Sequence, residues 1–122
     1  MAAKVLIIED DESNRRILEM TLQGLGCEVL TAVNGEDGYK KALKEKPALI
    51  LMDIMMPKMS GIDTLKKMRK SKDLKNTPVL VVSAKAAKED AANALAVGAT
   101  EFITKPFRVQ EIQKIIKKYL GG

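Results

Sequence analysis

The chain contains no histidine and no tryptophan, and its 122 residues include a single cysteine, Cys27. The absence of histidine excludes Ser-His and Cys-His nucleophile pairs, histidine-ligated zinc and an imidazole general base. A single cysteine excludes an internal disulfide and argues against a thiolate metal cage. Any chemistry in this chain must therefore use carboxylates, lysines or hydroxyl groups.

Long apolar runs and aromatic clusters are also missing. The runs at 47–52 and 78–84 are far shorter than the ~20 residues needed to cross a bilayer, so no membrane partner is expected. Without the apolar core of a secretory signal, a cytoplasmic location is expected. Aromatic residues make up 3% of the chain, which argues against flavin stacking or a base-stacking platform. The net charge is +5, but the basic residues are spread over many segments and alternate with acidic ones, so no nucleic-acid partner is expected.

Short apolar runs recur along the chain at roughly even intervals. They predict strands at 5–8, 29–30, 49–52, 79–82 and 102–103, and the segments between them have helical spacing, as in Leu18, Leu22 and Leu25. Alternating apolar strands and helices predict an α/β fold. We expect one domain over residues 1–122: a doubly wound, five-stranded parallel sheet with five helices on both faces.

Polar and charged residues follow the predicted strands. The run 9–12 (Glu-Asp-Asp-Glu) follows the first strand, Asp53 the third, Ser83 the fourth and Lys105 the fifth. In an open parallel sheet, functional residues lie beyond the carboxyl ends of the strands, so these side chains should converge. Clustered carboxylates must take up protons or bind a cation. Oxygen-only ligands favour Mg²⁺, with Mn²⁺ as a possible substitute, over zinc.

Simpler interpretations exist for each of these residues taken alone. The run 9–12 could cap the first helix or complement its dipole. Ser83 could be a strand-end hydroxyl bonded to the backbone. Together, however, they supply what is needed to hold a phosphoryl group on a carboxylate, with a metal ion and the Lys105 ammonium neutralising charge while Asp53 attacks.

The sequence resembles the receiver domain of two-component response regulators, the CheY-like family, in its stand-alone single-domain form. Four motifs in the family's order carry the resemblance: Val5-Leu-Ile-Ile-Glu-Asp-Asp11, Leu51-Met-Asp-Ile-Met-Met-Pro57 with Ser60-Gly61, Val82-Ser83-Ala84, and Phe102-Ile-Thr-Lys-Pro-Phe107. The resemblance implies that Asp53 accepts a phosphoryl group from a phosphohistidine on a sensor histidine kinase or a histidine phosphotransfer protein. Such a chain is a phosphoacceptor that catalyses only its own phosphorylation and slow dephosphorylation.

The resemblance also implies a role for each motif residue around the metal. Asp10 and Asp53 would ligate Mg²⁺ directly, the backbone carbonyl of Met55 would be a further ligand, and Glu9 would act through metal-bound water. Lys105 would bridge to the phosphoryl oxygens. The peptide bond between Lys105 and Pro106 would be cis, as in the family.

A switch is implied by the last two motifs. Ser83 would move to hydrogen-bond a phosphoryl oxygen, and the aromatic side chain at Phe102, where many relatives carry tyrosine, would rotate into the vacated space. The fourth helix, predicted near 86–97, is rich in alanine and has few large apolar anchors. We therefore expect the surface formed by helix 4, strand 5 and helix 5 to change and to be read by a downstream protein target.

Three other functions are weighed against this one. An aspartyl-phosphate phosphohydrolase would need a second acid two residues after the nucleophile, where this chain has Met55. A receiver-like interaction module that works without phosphorylation is compatible with the fold, although the intact acidic and lysine positions argue against it. A flavodoxin-like flavin protein is disfavoured by the acidic loop after the first strand.

Overall fold

The computed structural model describes residues 3–54, 61–83, 88–105 and 107–120, with the side chains of 88–90 outside the description. Strands and helices alternate through these ranges in the order β1 (Lys4–Ile8), α1 (Glu12–Gly24), β2 (Glu28–Ala32), α2 (Gly35–Glu45), β3 (Leu49–Met52), α3 (Gly61–Lys70), β4 (Val79–Ser83), α4 (Lys88–Ala96), β5 (Glu101–Thr104) and α5 (Val109–Leu120).

The strands form one parallel sheet in the order β2-β1-β3-β4-β5. The predicted doubly wound α/β fold is confirmed. Ile8 pairs with Met52, Met52 with Val81, and Ser83 with Thr104. This register brings the carboxyl ends of β1, β3, β4 and β5 to the same edge of the sheet, where the residues that follow them can meet.

Successive strand residues pack on opposite faces of the sheet, which explains why the central strands are apolar throughout. One core lies between the sheet and the side carrying α2, α3 and α4; its strand residues include Leu6, Ile8, Ile50, Met52, Val79 and Val81. The other core lies on the side of α1 and α5; its strand residues include Val5, Ile7, Leu49, Leu51, Leu80 and Val82. Burying each such side chain contributes about 1.5–3 kcal/mol.

Helix α4 has few apolar anchors among its described side chains. Ala94 is fully buried, whereas Leu95 is 49% exposed. The residues that follow the helix are better fixed: the guanidinium of Arg69, on α3, donates hydrogen bonds to the carbonyls of Gly98 and Leu74, both at 2.9 Å. Small buried side chains contribute little apolar area, so the described side chains of α4 hold this helix only weakly.

Among the described residues, none of the helices combines the length and apolar character that a bilayer span requires.

Candidate functional site

The acidic run after β1 is divided between two tasks. The Glu9 amide donates to the carbonyl of Ala32 at 3.0 Å, and the Glu9 side chain is buried beside the sheet. Asp11 instead caps α1, because its carboxylate accepts a hydrogen bond from the Asn14 amide at 2.8 Å. Glu12 lies in the first helical turn. Asp11 and Glu12 therefore serve the start of α1, as the simpler interpretation has it, whereas Glu9 and Asp10 belong to the carboxylate cluster at the sheet edge.

Asp53 lies directly after β3 and is held through its backbone. Its amide donates to the carbonyl of Ile8 at 3.1 Å, and the residue is 8% exposed. The Gly61 amide, at the start of α3, donates to the carbonyl of Ile54 at 2.8 Å. A Cβ atom at Gly61 would lie 2.5 Å from the Asp53 carbonyl oxygen. Only glycine allows α3 to begin this close to the turn that carries Asp53.

Lys105 joins the two buried carboxylates. Its amide donates to the carbonyl of Ser83 at 2.8 Å, which fixes the chain at the end of β5. Its ammonium lies 2.9 Å from Asp53 Oδ2 and 2.5 Å from Glu9 Oε1. The Lys105 side chain is only 10% exposed, so both charge-assisted hydrogen bonds are largely shielded from water.

Burial and neighbouring charges shift the pKa of both Glu9 and Lys105 at this edge of the sheet. Burial raises the pKa of Glu9 to about 7, with a further rise from the Asp53 charge, although hydrogen bonding to Lys105 acts in the opposite direction. Burial alone would lower the pKa of Lys105, but the hydrogen bonds to Glu9 and Asp53 outweigh that effect and raise it. One ammonium therefore does not fully compensate the negative charge.

The donor geometry fits a small divalent cation. Glu9, Asp10 and Asp53 each offer one carboxylate oxygen, and these oxygens all lie within 4.8 Å of one another. Oxygen-only donors suit Mg²⁺ or Mn²⁺, which keep part of their water shell when few protein groups bind them. Asp10 is exposed, whereas Glu9 and Asp53 are buried, so the cluster opens to solvent on the Asp10 side.

The other residues singled out from the sequence lie at or behind this edge. Ser83 is fully buried at the end of β4. Phe102, on β5, is partly buried and packs against the core beneath α2, α3 and α4. The expected Met55 carbonyl ligand and the expected cis peptide before Pro106 lie outside the described residues.

One contact at the site was not anticipated from the sequence. The guanidinium of Arg15 donates from Nη1 to the carbonyl of Glu9 at 3.1 Å and to that of Asp10 at 3.5 Å. Nothing in the spacing distinguishes Arg15 from Arg16, which is exposed and pairs with Glu12. The only available signal is an arginine about one turn into a helix that follows an acidic loop.

The fold and the site together define a class of protein, the doubly wound α/β signalling domain of the receiver type. The model of the response regulator receiver domain family matches residues 5–117. This chain belongs to that family, which functions in two-component signalling and whose members are in general signalling switches rather than enzymes.

Two curated relatives are similar over almost the whole chain. Protein PilG of Pseudomonas aeruginosa is 36% identical over 117 residues, which cover 96% of this chain and 87% of PilG. The alkaline phosphatase synthesis transcriptional regulatory protein PhoP of Bacillus subtilis is 38% identical over 120 residues, which cover 98% of this chain. The match spans 49% of PhoP, so this chain corresponds to about half of that relative.

A solved structure gives the same fold and adds a metal. The receiver domain of the sensor histidine kinase PA1611 of Pseudomonas aeruginosa superposes with a TM-score of 0.92 at 26% identity, and the match covers 100% of both chains. In that protein a magnesium ion is coordinated in the active site cleft.

Proposed function

We propose that residues 1–122 form a receiver domain that acts as a phosphorylation-dependent switch of a two-component or phosphorelay system. In this proposal Asp53 accepts a phosphoryl group with the help of Mg²⁺, and the change alters the surface of α4, β5 and α5. The observation that carries the proposal is the position of the Asp53 carboxylate: Oδ2 is 2.9 Å from the Lys105 ammonium, and Asp53 shares a cluster with Glu9 and Asp10.

The transfer is a displacement at phosphorus. A carboxylate oxygen of Asp53 attacks the phosphorus of a phosphohistidine, an oxygen–phosphorus bond forms, and the phosphorus–nitrogen bond breaks. The bonding electron pair leaves with the imidazole of the donor protein, which then holds or takes up a proton. Because these 122 residues contain no histidine, the phosphohistidine lies outside them, and we identify the donor by class as a sensor histidine kinase or a histidine phosphotransfer protein.

The residues around Asp53 are assigned to binding and orientation. Asp10 and Asp53 would hold Mg²⁺ directly, Glu9 would act through metal-bound water, and the Met55 carbonyl would complete the protein ligands. When bound, Mg²⁺ would neutralise negative charge on the transferring oxygens; Mn²⁺ could replace it. The Lys105 ammonium, held near the acceptor by the Glu9 carboxylate, would remain paired with the phosphoryl oxygens after transfer.

The output depends on residues of β4, α4 and β5. The Ser83 hydroxyl would donate a hydrogen bond to a phosphoryl oxygen, and Phe102 would then change its packing against the core. The small buried side chain of Ala94 and the half-exposed Leu95 hold α4 weakly. A new charge-assisted hydrogen bond can therefore shift this surface between two arrangements of similar energy.

The partner that reads this surface is proposed to be a protein, met in the cytoplasm. The three lysines of α5 are exposed, and the helix also carries Glu111, while Lys118 pairs with Glu101 of β5; a nucleic-acid contact is not part of the proposal. Amide exchange with and without a phosphoryl mimic tests the output surface. Increased or decreased protection over 91–97 supports the proposal, and identical protection in both states contradicts it.

Acetyl phosphate provides the test of the acceptor function. Incubation of the chain with acetyl phosphate and Mg²⁺, followed by intact-mass measurement, should give a single phosphoryl adduct that is absent in Asp53→Ala and absent when Mg²⁺ is chelated. Asp63→Ala, in an exposed residue of α3, serves as the matched control and should be phosphorylated like the parent chain.

The same measurement separates the competing functions. Steady turnover of varied phosphomonoesters, with no accumulated adduct, would support an aspartyl-phosphate phosphohydrolase instead. No adduct with any small phosphodonor, in a chain that still binds Mg²⁺, would support a receiver-like module that works without phosphorylation.

A further inference from the structure

Asp10 is the exposed member of the carboxylate cluster, and its own side chain does little to fix it. No hydrogen bond or ion pair of the Asp10 carboxylate is present within the described part of the chain. Its neighbours are anchored differently: Glu9 is buried against Lys105, and Asp11 is committed to capping α1. The direction of the Asp10 side chain must therefore be set by its backbone.

Arg15 contacts that backbone on both sides of the Asp10 Cα atom. The Glu9 carbonyl belongs to the peptide plane before Asp10, and the Asp10 carbonyl belongs to the plane after it. Nη1 of Arg15 lies 3.1 Å from the first carbonyl oxygen and 3.5 Å from the second. The orientations of the two planes define φ and ψ of Asp10 and hence the direction of its Cβ atom.

Arg15 is itself well placed for this contact. Its amide donates to the carbonyl of Asp11 at 2.9 Å, so the residue belongs to the first turn of α1, which Asp11 caps. Its guanidinium is rigid and planar, and it donates here to neutral carbonyls. The Arg15 hydrogen bonds therefore leave the carboxylate oxygens of the cluster available, unlike those of Lys105, which occupy Glu9 and Asp53.

We propose that Arg15 is a positioning residue for the metal site: it fixes the peptide planes around Asp10 and so pre-orients the Asp10 carboxylate toward Mg²⁺. This inference rests on the proposed function. Two effects of removing Arg15 oppose each other. Losing a positive charge near the cluster favours Mg²⁺ binding, whereas losing the fixed peptide planes disfavours it. Groups that orient metal ligands typically change affinity by about 10–100-fold, so the loss of orientation dominates.

The test is calorimetric titration of the full chain with MgCl₂, using a matched pair of variants. Arg15→Gln should weaken Mg²⁺ binding by about tenfold or more. Arg16→Gln removes the same charge one residue along the helix, from an arginine whose side chain is 72% exposed and, among the described residues, pairs with Glu12 alone. It should leave the affinity unchanged or make it slightly tighter, because only the charge effect remains.

A third variant and a second readout guard against a general loss of structure. Arg15→Lys keeps the charge and can reach one carbonyl, so it should recover part of the affinity. Thermal unfolding without Mg²⁺ measures stability separately; a merely structural role would lower the melting temperature and leave the dissociation constant unchanged. Equal affinities for Arg15→Gln and the parent chain, or equal weakening by both glutamine variants, would overturn the proposal. A parent chain that does not bind Mg²⁺ would instead overturn the proposed function.

Discussion

The buried Glu9 carboxylate makes Mg²⁺ binding depend on pH in a way that can be calculated. Burial raises its pKa from the ordinary value of 4.5 to about 7. One unit below that pKa about one Glu9 in eleven is ionised, and one unit above it about ten in eleven are. Protons and Mg²⁺ compete for the same negative charge, so binding should strengthen as pH rises through 7.

The expected magnitude is about a tenfold difference in Mg²⁺ affinity between those two pH values, which equals the ratio of the ionised fractions. Calorimetric titration with MgCl₂ at each pH measures it. Glu9→Gln provides the matched variant, because glutamine has the shape of the protonated acid and does not titrate in this range. Its affinity should be weak and nearly independent of pH.

Stability without Mg²⁺ should change in the opposite direction. The folded-state pKa of Glu9 lies above that of the unfolded chain, so the folded state binds more protons between pH 4.5 and about 7. The contribution of this group to the free energy of unfolding is therefore present below that window and is lost as pH rises through it, by roughly 3 kcal/mol at most.

An Mg²⁺ affinity of the parent chain that is the same at both pH values, or full pH dependence retained in Glu9→Gln, would refute the reasoning.

Three further predictions concern one contact beside Asp53 and two at the opposite edge of the sheet, near the amino-terminal end of β5. Gly61→Ala places a Cβ atom 2.5 Å from the Asp53 carbonyl oxygen, so it should lower the free energy of unfolding, measured by chemical denaturation, by about 1–3 kcal/mol. Gly24→Ala is the control, because its Cβ atom would have nothing within 4 Å, and it should leave stability unchanged or raise it. Equal effects of the two variants would contradict the close approach at Gly61. The Tyr119 hydroxyl donates a hydrogen bond to Glu101, and this bond lowers the pKa of Glu101 and raises that of Tyr119 to about 12. Tyr119→Phe removes the bond, so we expect the free energy of unfolding to fall by about 1 kcal/mol at neutral pH and by less as Glu101 becomes protonated in acid. A loss that does not depend on pH would count against an ionised acceptor. Arg69→Met removes two hydrogen bonds of 2.9 Å to main-chain carbonyls and should speed amide exchange at Ala99 and Thr100, whereas unchanged exchange would show that Arg69 does not fix the segment after α4.

The fold was predictable because its central strands are buried on both faces. The apolar runs at 5–8, 49–52 and 79–82 coincide with β1, β3 and β4 to within one residue. The edge strand β2 was harder, since Glu28 and Thr31 interrupt its apolar pattern and only Val29 and Leu30 stand out. An edge strand is half-covered, so its sequence carries a weaker signal than that of a central strand.

The residue types of the candidate site were predictable from the sequence, but which acid caps α1 and which faces the sheet was not. The ends of parallel strands must converge, which brings Asp53 and Lys105 together from distant parts of the sequence. Which acids cap α1 and which face the sheet depends on where the helix begins, and a change of one residue reverses the assignment. The Arg15 and Gly61 contacts depend on how α1 and α3 approach the sheet, which no local pattern records.

Chemical trapping of the phosphorylated chain tests the central claim most directly. Borohydride reduces an acyl phosphate on aspartate to homoserine, so peptide mass mapping after treatment with acetyl phosphate and Mg²⁺ identifies the modified residue. We expect homoserine at position 53 alone, and only when Mg²⁺ is present. Homoserine at position 10 or 11, a phosphate ester on Ser83, or modification of Asp53 that is equally efficient without Mg²⁺ would contradict the account.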